Sequence, residues 1–428
     1  LTKFRQPNWP SPNKLAVPAT APPDPLTDSA PAFALLQGAQ AFFPALIADI
    51  DAAGKTVQLE TYIFDLHGSG VEVAQALMRA ARRGVAVQVL VDGLGTGLLA
   101  EPWRLELEQA GVQWQVFAPL GRLWPYPRLL FAPSYWRRLH RKLCAIDGQI
   151  VFCGGVNVLD DLYDPNYGPL SAPRFDFTVR VQGLVAQQAA QAMTMLWTRV
   201  QVGDSVRQRQ LGQAWETWRE GSANRQALSA WRRSGRSAAR AYLLLRDNLR
   251  FRNSIERAYR KAIGRAHHEV LISNAYFLPG GRLRRALIQA ARRGVRVRLL
   301  LQGRYEYFMQ YHAARSVYLD LLQAGVEVHE YETSFLHAKV AVMDGRWSTV
   351  GSSNLDPLSL LLAREANVVI EDEAFAGQLR ERLVQAIDGH GRAVNLQDYS
   401  RRPWRERLLN KLAYALVRMA LFLTGHRY

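Results

Sequence analysis

The sequence predicts an α/β protein of two tandem, similar α-β-α domains, and three observations predict it. A stretch of about twenty residues occurs twice. Arg138 to Asn157 reads RLHRKLCAIDGQIVFCGGVN and Phe335 to Asn354 reads FLHAKVAVMDGRWSTVGSSN, so His140, Lys142, Asp147 and Asn157 recur as His337, Lys339, Asp344 and Asn354. Shorter echoes accompany it: Ala-Ala-Arg-Arg-Gly-Val at 80–85 and 290–295, and Gln-Ala-Gly-Val at 109–112 and 323–326. Each half also shows apolar runs of strand length alternating with segments of helical period, the pattern of β-α-β units.

Eight prolines in residues 1–31 deny that segment a regular helix or inner strand, and it reads as an extended arm. The first domain is expected over 32–201. It opens with a helix through Ala53, followed by a strand from Thr56 to Phe64, a helix from Val71 to Arg83 and a strand from Val85 to Asp92. Residues 202–240 are basic and carry tryptophans, and read as a helical linker. The second domain, 241–397, repeats the first, with a helix over Asn253 to His267, a strand over Glu269 to Tyr276, a helix over Leu283 to Arg293 and a strand over Val295 to Gln302. An amphipathic helix is expected within 398–428: along Trp404 to Leu423, Arg407, Lys411, Tyr414 and Arg418 form one stripe and Leu408, Leu412, Leu416, Met419 and Leu423 another.

Side chains alternate along a strand, so a His and a Lys two residues apart share a face while Ala338, Val340 and Val342 turn toward a core. Asp-Gly at 147–148 and 344–345 favours a tight hairpin turn. Small residues follow at Gly154-Gly155 and Gly351-Ser352, where a ligand could approach the backbone closely.

The formal net charge is +17 over 428 residues, which favours an anionic partner, a membrane surface or a nucleic acid. Only two cysteines are present, Cys144 and Cys153, too few for a disulfide framework or a Cys-rich metal site; they read as buried small apolar residues. No uninterrupted apolar run reaches the roughly 20 residues of a bilayer span, and the first residues show no signal-peptide pattern.

The duplicated H-x-K-x-x-x-x-D motif resembles that of the phospholipase D superfamily, and the likeness covers nearly the whole chain. The resemblance implies two phospholipase D-like domains related by pseudo-twofold symmetry, with one active site shared at their interface. It implies His140 as the nucleophile that forms a phosphatidyl-histidine and His337 as general acid and base, the reverse order being the alternative. Lys142, Lys339, Asn157 and Asn354 are then expected to hold the phosphoryl oxygens, with neither metal nor cofactor required. Carboxylates that orient the histidines are expected at Asp176 in RFDFTV and Glu365 in REANVV. Asp147 and Asp344 complete the catalytic motif, although their place in the turns suits bracing better than substrate contact.

Within that superfamily, NAYFLPGGRLRRAL (274–287), GSSNLDPLSLLLAREANVVI (351–370), ETYIFD (60–65) and DGLGTG (92–97) look like bacterial cardiolipin synthases, closest to the B type. The resemblance implies transfer of a phosphatidyl group from phosphatidylglycerol, or from phosphatidylethanolamine, to a glycerol hydroxyl of a second phosphatidylglycerol. A phospholipase D-type hydrolase and a nuclease of the same fold are the alternatives. The first motif's tail, GGVNVLDDLYD, departs from that of the second.

The glycines of the Gln-Ala-Gly-Val echoes lie 214 residues apart but the motif histidines only 197, so the first half carries about 17 extra residues before His140. They fall in PLGRLWPYPRLLFAPSYWRRL (119–139), where aromatics interleave with arginines, and Trp124, Leu129, Leu130 and Phe131 read as membrane contacts. A loop folded onto its own domain is the alternative. With the C-terminal helix, this segment predicts a peripheral protein on the cytoplasmic face of the cell membrane, for which nucleic acid is the less favoured partner.

Overall fold

A computed structural model describes residues 33–97, 99–119, 137–164, 167–207, 240–247, 253–356 and 363–423. The first half comprises β1 (Phe33–Gln37), α1 (Gly38–Ala52), β2 (Thr56–Thr61), α2 (Ser69–Arg82), β3 (Ala86–Asp92), α3 (Trp103–Ala110), β4 (Gln113–Phe117), β5 (Arg138–Leu139), β6 (Leu143–Ile146), β7 (Ile150–Gly154), the short β8 (Tyr163–Asp164) and β9 (Gly168–Pro169), β10 (Phe177–Gln182) and α4 (Leu184–Arg207). The second half comprises β11 (Ala241–Arg246), α5 (Ser254–Arg265), β12 (Glu269–Asn274), α6 (Gly281–Arg292), β13 (Arg296–Gln302), α7 (Phe308–Arg315), α8 (Tyr318–Gln323), β14 (Glu327–Tyr331), β15 (Lys339–Met343), β16 (Trp347–Gly351), β17 (Ala363–Glu371), α9 (Glu373–His390), β18 (Gly391–Ala393), α10 (Leu396–Ser400) and α11 (Trp404–Leu423).

The two sheets have one topology. Strand order is β1-β10-β7-β6-β2-β3-β4 in the first and β11-β17-β16-β15-β12-β13-β14 in the second, which adds β18 at its edge. Parallel pairs β2–β3 and β12–β13 come from the β-α-β units, and the motif hairpins β6–β7 and β15–β16 join them antiparallel.

The literal echoes in sequence are helix stops. Gly84 and Gly294 end α2 and α6 at φ of 89° and 88°, and Gly111 and Gly325 follow α3 and α8 at 93° and 87°, the left-handed region that glycine enters at no steric cost. Before those first glycines, Arg83 donates to the carbonyls of Ile50 and Ala53, and Arg293 to those of Ile263 and Ala266. Each arginine thereby satisfies carbonyls at the C-terminal end of the helix that precedes it.

Three apolar layers follow. Leu46, Ile50, Val73, Leu77 and Leu107 of α1–α3 cover the outer face of the first sheet, and Ile255, Tyr259, Leu283, Leu287 and Leu321 do the same for the second. The inner layer belongs to both halves: Val151, Cys153, Val179 and Val181 with α4 residues Val185, Ala189 and Met193 join Val340, Val342, Val350 and Val368 with α9 residues Phe375, Leu379 and Leu383. Burying such side chains contributes about 1.5–3 kcal/mol each, so the joint between the halves is core, not a hinge. Cys144 and Cys153 are both buried and free.

Several expectations need correction. Residues 33–37 form an edge strand, not the start of α1: β1 pairs antiparallel with β10 from Phe33↔Val181 to Gln37↔Phe177. A short apolar run does not distinguish strand from helix by its period, and here the partner strand decides. The strand from Thr56 stops at Thr61, where the Thr61 hydroxyl bonds the Ile63 carbonyl and the chain leaves the sheet. Helix α4 runs on to Arg207, so the first residues of the expected linker are its last turns.

Helix α11 spans Trp404–Leu423 as expected but docks by a narrow stripe. Asn410, Ala413 and Val417 are buried, and the Asn410 side chain meets His312 of α7 at 2.8 Å. Trp404, Leu408, Leu409, Leu412, Leu416 and Met419 stay exposed. Trp124, Leu129, Leu130 and Phe131, the arm 1–31 and linker residues 208–239 lie outside the described residues.

Candidate active site

Each motif histidine is pinned by the opposite half. Strand β5 runs parallel to the start of β17, and the His140 amide donates to the Arg364 carbonyl at 3.0 Å. The next residue, Glu365, then brings its carboxylate to His140 Nδ1 at 3.0 and 3.1 Å. The arrangement is mirrored at the other histidine: the His337 amide donates to the Phe175 carbonyl at 2.9 Å, and Asp176 Oδ2 lies 2.6 Å from His337 Nδ1. With both Nδ1 atoms bonded to carboxylates, each imidazole leaves Nε2 for substrate.

The two lysines lie beneath the histidines. Lys142 Nζ donates to the His140 carbonyl at 2.9 Å, and Lys339 Nζ donates to the His337 carbonyl. Burial pushes Lys142 down to about 7 and Lys339 to about 8, although carboxylates nearby, Glu365 for Lys142 and Asp176 for Lys339, partly oppose it. Burial also lowers His140, with Glu365 opposing, and lowers His337 well below the usual range, reinforced by Lys339 and Lys142. The Asp176 carboxyl is pushed up by burial to about 7.

Asn157 and Asn354 follow β7 and β16 and are buried; Asn157 Oδ1 accepts the Ile63 amide at 3.2 Å. The small residues just before them make room for protein, which corrects the expectation that they admit a ligand. A Cβ at Gly155 would sit 2.2 Å from the Asp176 carboxylate. At the matching position Ser352 donates to Glu365 Oε2 at 2.5 Å, and a Cβ at Gly351 would meet Asn367 at 2.3 Å.

Asp147 and Asp344 stand at the far ends of β6 and β15 from the lysines. Five residue steps along β6 (Leu143–Ile146) separate Lys142 from Asp147, about 16 Å. Their φ values of 52° and 51°, with 64° and 63° at Gly148 and Gly345, are those of tight hairpin turns. Asp147 accepts the amides of Gly54, Lys55 and Thr56, and Asp344 those of His267, His268 and Glu269. These amide bonds hold both carboxyls below the ordinary carboxylate range, though partial burial works against them. Their position corrects their grouping with the catalytic residues: each ties a motif hairpin to the loop that enters its parallel strand. A groove of about 740 Å³ opens beside Asp344, lined by Arg240, Lys261, Arg346, Asp372 and Glu373, and neither histidine borders it.

Sequence reasoning missed several groups at the site. Asp92 Oδ2 accepts the Leu139 amide at 2.7 Å and Gln302 Oε1 accepts the Leu336 amide at 3.4 Å, so corresponding side chains fix the residue before each histidine. The Tyr62 ring packs on His140 at 5.1 Å between centroids, with Lys142 Nζ 5.5 Å from its face. Arg174 holds the loop after Asn157 through the Asp160 carbonyl at 2.6 Å and Asp164 at 2.8 Å. Tyr276 and Glu306 bond each other at 2.7 Å. Aligning the halves position by position, rather than by motif, would have drawn attention to these residues.

The family model described as "Cardiolipin synthase, PLD-like domain" matches residues 46–167 and 259–387, one segment in each half. Cardiolipin synthase B of Escherichia coli (strain K12) is 36% identical over 391 residues, 91% of this chain and 89% of that protein. Cardiolipin synthase A of Pseudomonas entomophila (strain L48) is 31% identical over 366 residues, 85% and 70% of the two chains. In fold, the chain is similar to the crystal structure of phosphatidylserine synthase from Haemophilus influenzae Rd KW20, with a TM-score of 0.62 at 13% identity, covering 90% of this chain and 93% of that one. With its duplicated motif, its paired sheets and a family model that matches both halves, the chain belongs to the cardiolipin synthase family of phospholipase D-like proteins.

Proposed function

We propose that the protein is a phosphatidyltransferase that makes cardiolipin from two molecules of phosphatidylglycerol. The observation that carries this is the reciprocal exchange at the site, each histidine being held at Nδ1 by a carboxylate of the other half with a buried lysine beneath. His140 Nε2 attacks phosphorus and the P–O bond to glycerol breaks, its electron pair leaving with the glycerol oxygen, which takes a proton from His337 Nε2. In the second half-reaction a hydroxyl of another phosphatidylglycerol gives its proton to His337, attacks the phosphatidyl-His140 phosphorus and expels the imidazole. Lys142, Lys339 and the two asparagines neutralise the non-bridging oxygens. Anion binding raises the pKa of His337 and supplies the protonated form that the first step needs.

Incubation with defined phospholipids, with products resolved by mass spectrometry, tests this directly. Cardiolipin and free glycerol are expected from phosphatidylglycerol. Phosphatidate alone would make the protein a hydrolase, and cleavage of a single-stranded DNA control without lipid turnover would make it a nuclease.

The same reading places the protein on an anionic bilayer. Exposed apolar residues gather on α11, on loops near the site, among them Leu94, Tyr167, Tyr305 and Tyr307, and at Phe308, the first residue of α7, while Arg405, Arg407, Lys411 and Arg418 of α11 are exposed beside its apolar face. Apolar insertion with electrostatic attraction, about 1 kcal/mol per basic residue near an anionic surface, suits stable peripheral docking. Replacing Leu408, Leu412 and Leu416 together with Ser is expected to lower sedimentation with phosphatidylglycerol vesicles severalfold and to spare turnover of a water-soluble short-chain donor. Unchanged sedimentation would remove α11 from the docking surface.

A further inference from the structure

The two halves follow one plan, so the positions where they differ at the site mark what each half does alone. Two such positions flank the histidines. The bridges Phe64↔Val158 and Phe277↔Leu355 correspond, which aligns Tyr62 with Ala275. The ring that packs on His140 therefore has no counterpart at the matching position of the second half, which holds Ala275. Likewise Asp92 and Gln302 correspond, each accepting the amide that precedes a motif histidine, and four residues further on the first half has Thr96 and the second has Glu306.

Thr96 is occupied by its own backbone surroundings. Its hydroxyl donates to the Tyr62 carbonyl at 2.9 Å and accepts the Phe64 amide at 3.0 Å. Glu306 is placed differently. Its Oε2 accepts the Tyr276 hydroxyl at 2.7 Å, and its main-chain carbonyl accepts the Tyr167 hydroxyl of the first half at 2.6 Å, which fixes the loop. Tyr276 stands beside His337, because Asn274 pairs with Lys339 and the Ala275 amide donates to the Ala338 carbonyl at 3.1 Å. Burial raises the Glu306 carboxyl, whose charge is felt by Lys339 and Arg174.

A half-buried carboxylate beside a site for phosphodiesters repels the very group the site binds, unless it serves another part of the substrate. An ionised carboxylate only accepts hydrogen bonds, at about four lone-pair positions, and Tyr276 uses one of them. Neighbouring hydroxyls of a polyol are the natural donors for the others. We propose that Glu306, held by Tyr276, forms a polyol subsite on the His337 side, taking the glycerol head group as it leaves in the first half-reaction and as it enters in the second. The subsite rests on the phosphatidyl-transfer reading and adds a direction to it: alcohols depart and arrive at His337, and the phosphatidyl group stays on His140 against the Tyr62 wall.

The test offers the full-length protein phosphatidylglycerol as donor with deuterated glycerol and deuterated 1-propanol together as acceptors, and reads labelled phosphatidylglycerol against phosphatidylpropanol by mass spectrometry. Glu306→Gln keeps the shape but loses the charge, and the glycerol-to-propanol product ratio is expected to fall about tenfold, as loss of charge-assisted hydrogen bonds implies. Tyr276→Phe, which retains the carboxylate but frees it to move, should lower the ratio by less. A purely structural role would reduce both products in parallel, and an unchanged ratio in Glu306→Gln overturns the subsite. Cardiolipin without labelled phosphatidylglycerol in the unmodified protein would also overturn the subsite, whereas absence of cardiolipin together with both labelled products would remove the transfer reading itself, a distinct failure.

Discussion

His140→Ala and His337→Ala are each expected to reduce phosphatidyl transfer by about 10⁴-fold or more, because nucleophile and acid work as a unit and neither half holds a complete site. The two losses differ in kind. With a donor whose leaving group is a nitrophenolate, departure needs no proton, so His337→Ala should release one burst of nitrophenolate and accumulate phosphohistidine at 140. His140→Ala should release none. A burst from His140→Ala with the adduct at His337 would exchange the roles, and near-normal turnover by either variant would sink the shared site.

The unmodified protein should show a bell in kcat/KM, which reports the free enzyme. As pH falls, His140 gains a proton and loses the Nε2 lone pair; burial lowers its pKa, so this limb lies below the ordinary histidine value of 6.5. As pH rises, His337, which burial holds well below the usual histidine range in the free enzyme, first loses the proton that the leaving oxygen needs, and Lys142 near 7 and Lys339 near 8 then lose the charge that holds the phosphodiester. A soluble short-chain donor separates this from lipid titration. A profile flat to pH 9 would mean that His337 keeps its proton and both ammonium groups remain charged, against this assignment.

Glu365→Gln and Asp176→Asn are expected to lower kcat by about 10²–10⁴-fold with little change in KM, through tautomer choice rather than contact with substrate. Each carboxylate accepts from Nδ1–H and so directs the lone pair to Nε2. An amide can instead donate its N–H to Nδ1, which puts the ring proton on Nε2 and faces it at phosphorus. Glu365→Gln should therefore abolish the burst with the nitrophenyl donor, because Glu365 bonds His140, whereas Asp176→Asn should keep it. Equal effects on the burst would argue against distinct duties for the two pairs.

Sequence alone determined the duplication, the α/β class and the placing of the motif histidines and lysines on one strand face, because each rests on local spacing, the two-residue period of strands and Asp-Gly turns; Asp176 and Glu365 were reached only through the family resemblance. Sequence also placed α11 from Trp404 to Leu423 by its 3.6-residue period. Tertiary structure decided what local period cannot carry. Nothing near His140 in the chain announces that its partner is Glu365, 225 residues away, nor that Asp176 serves His337 across 161 residues; pairing of β5 with β17, and of Phe175 with Leu336, brings them together. Packing likewise turned Gly155 from an opening for ligand into room for the Asp176 carboxylate, and moved Asp147 and Asp344 away from the chemistry to the far ends of their strands. The position of Glu306 beside Tyr276 emerged only there too, since a loop that carries no period acquires its place from the sheet ends it joins and from the opposite half that holds it.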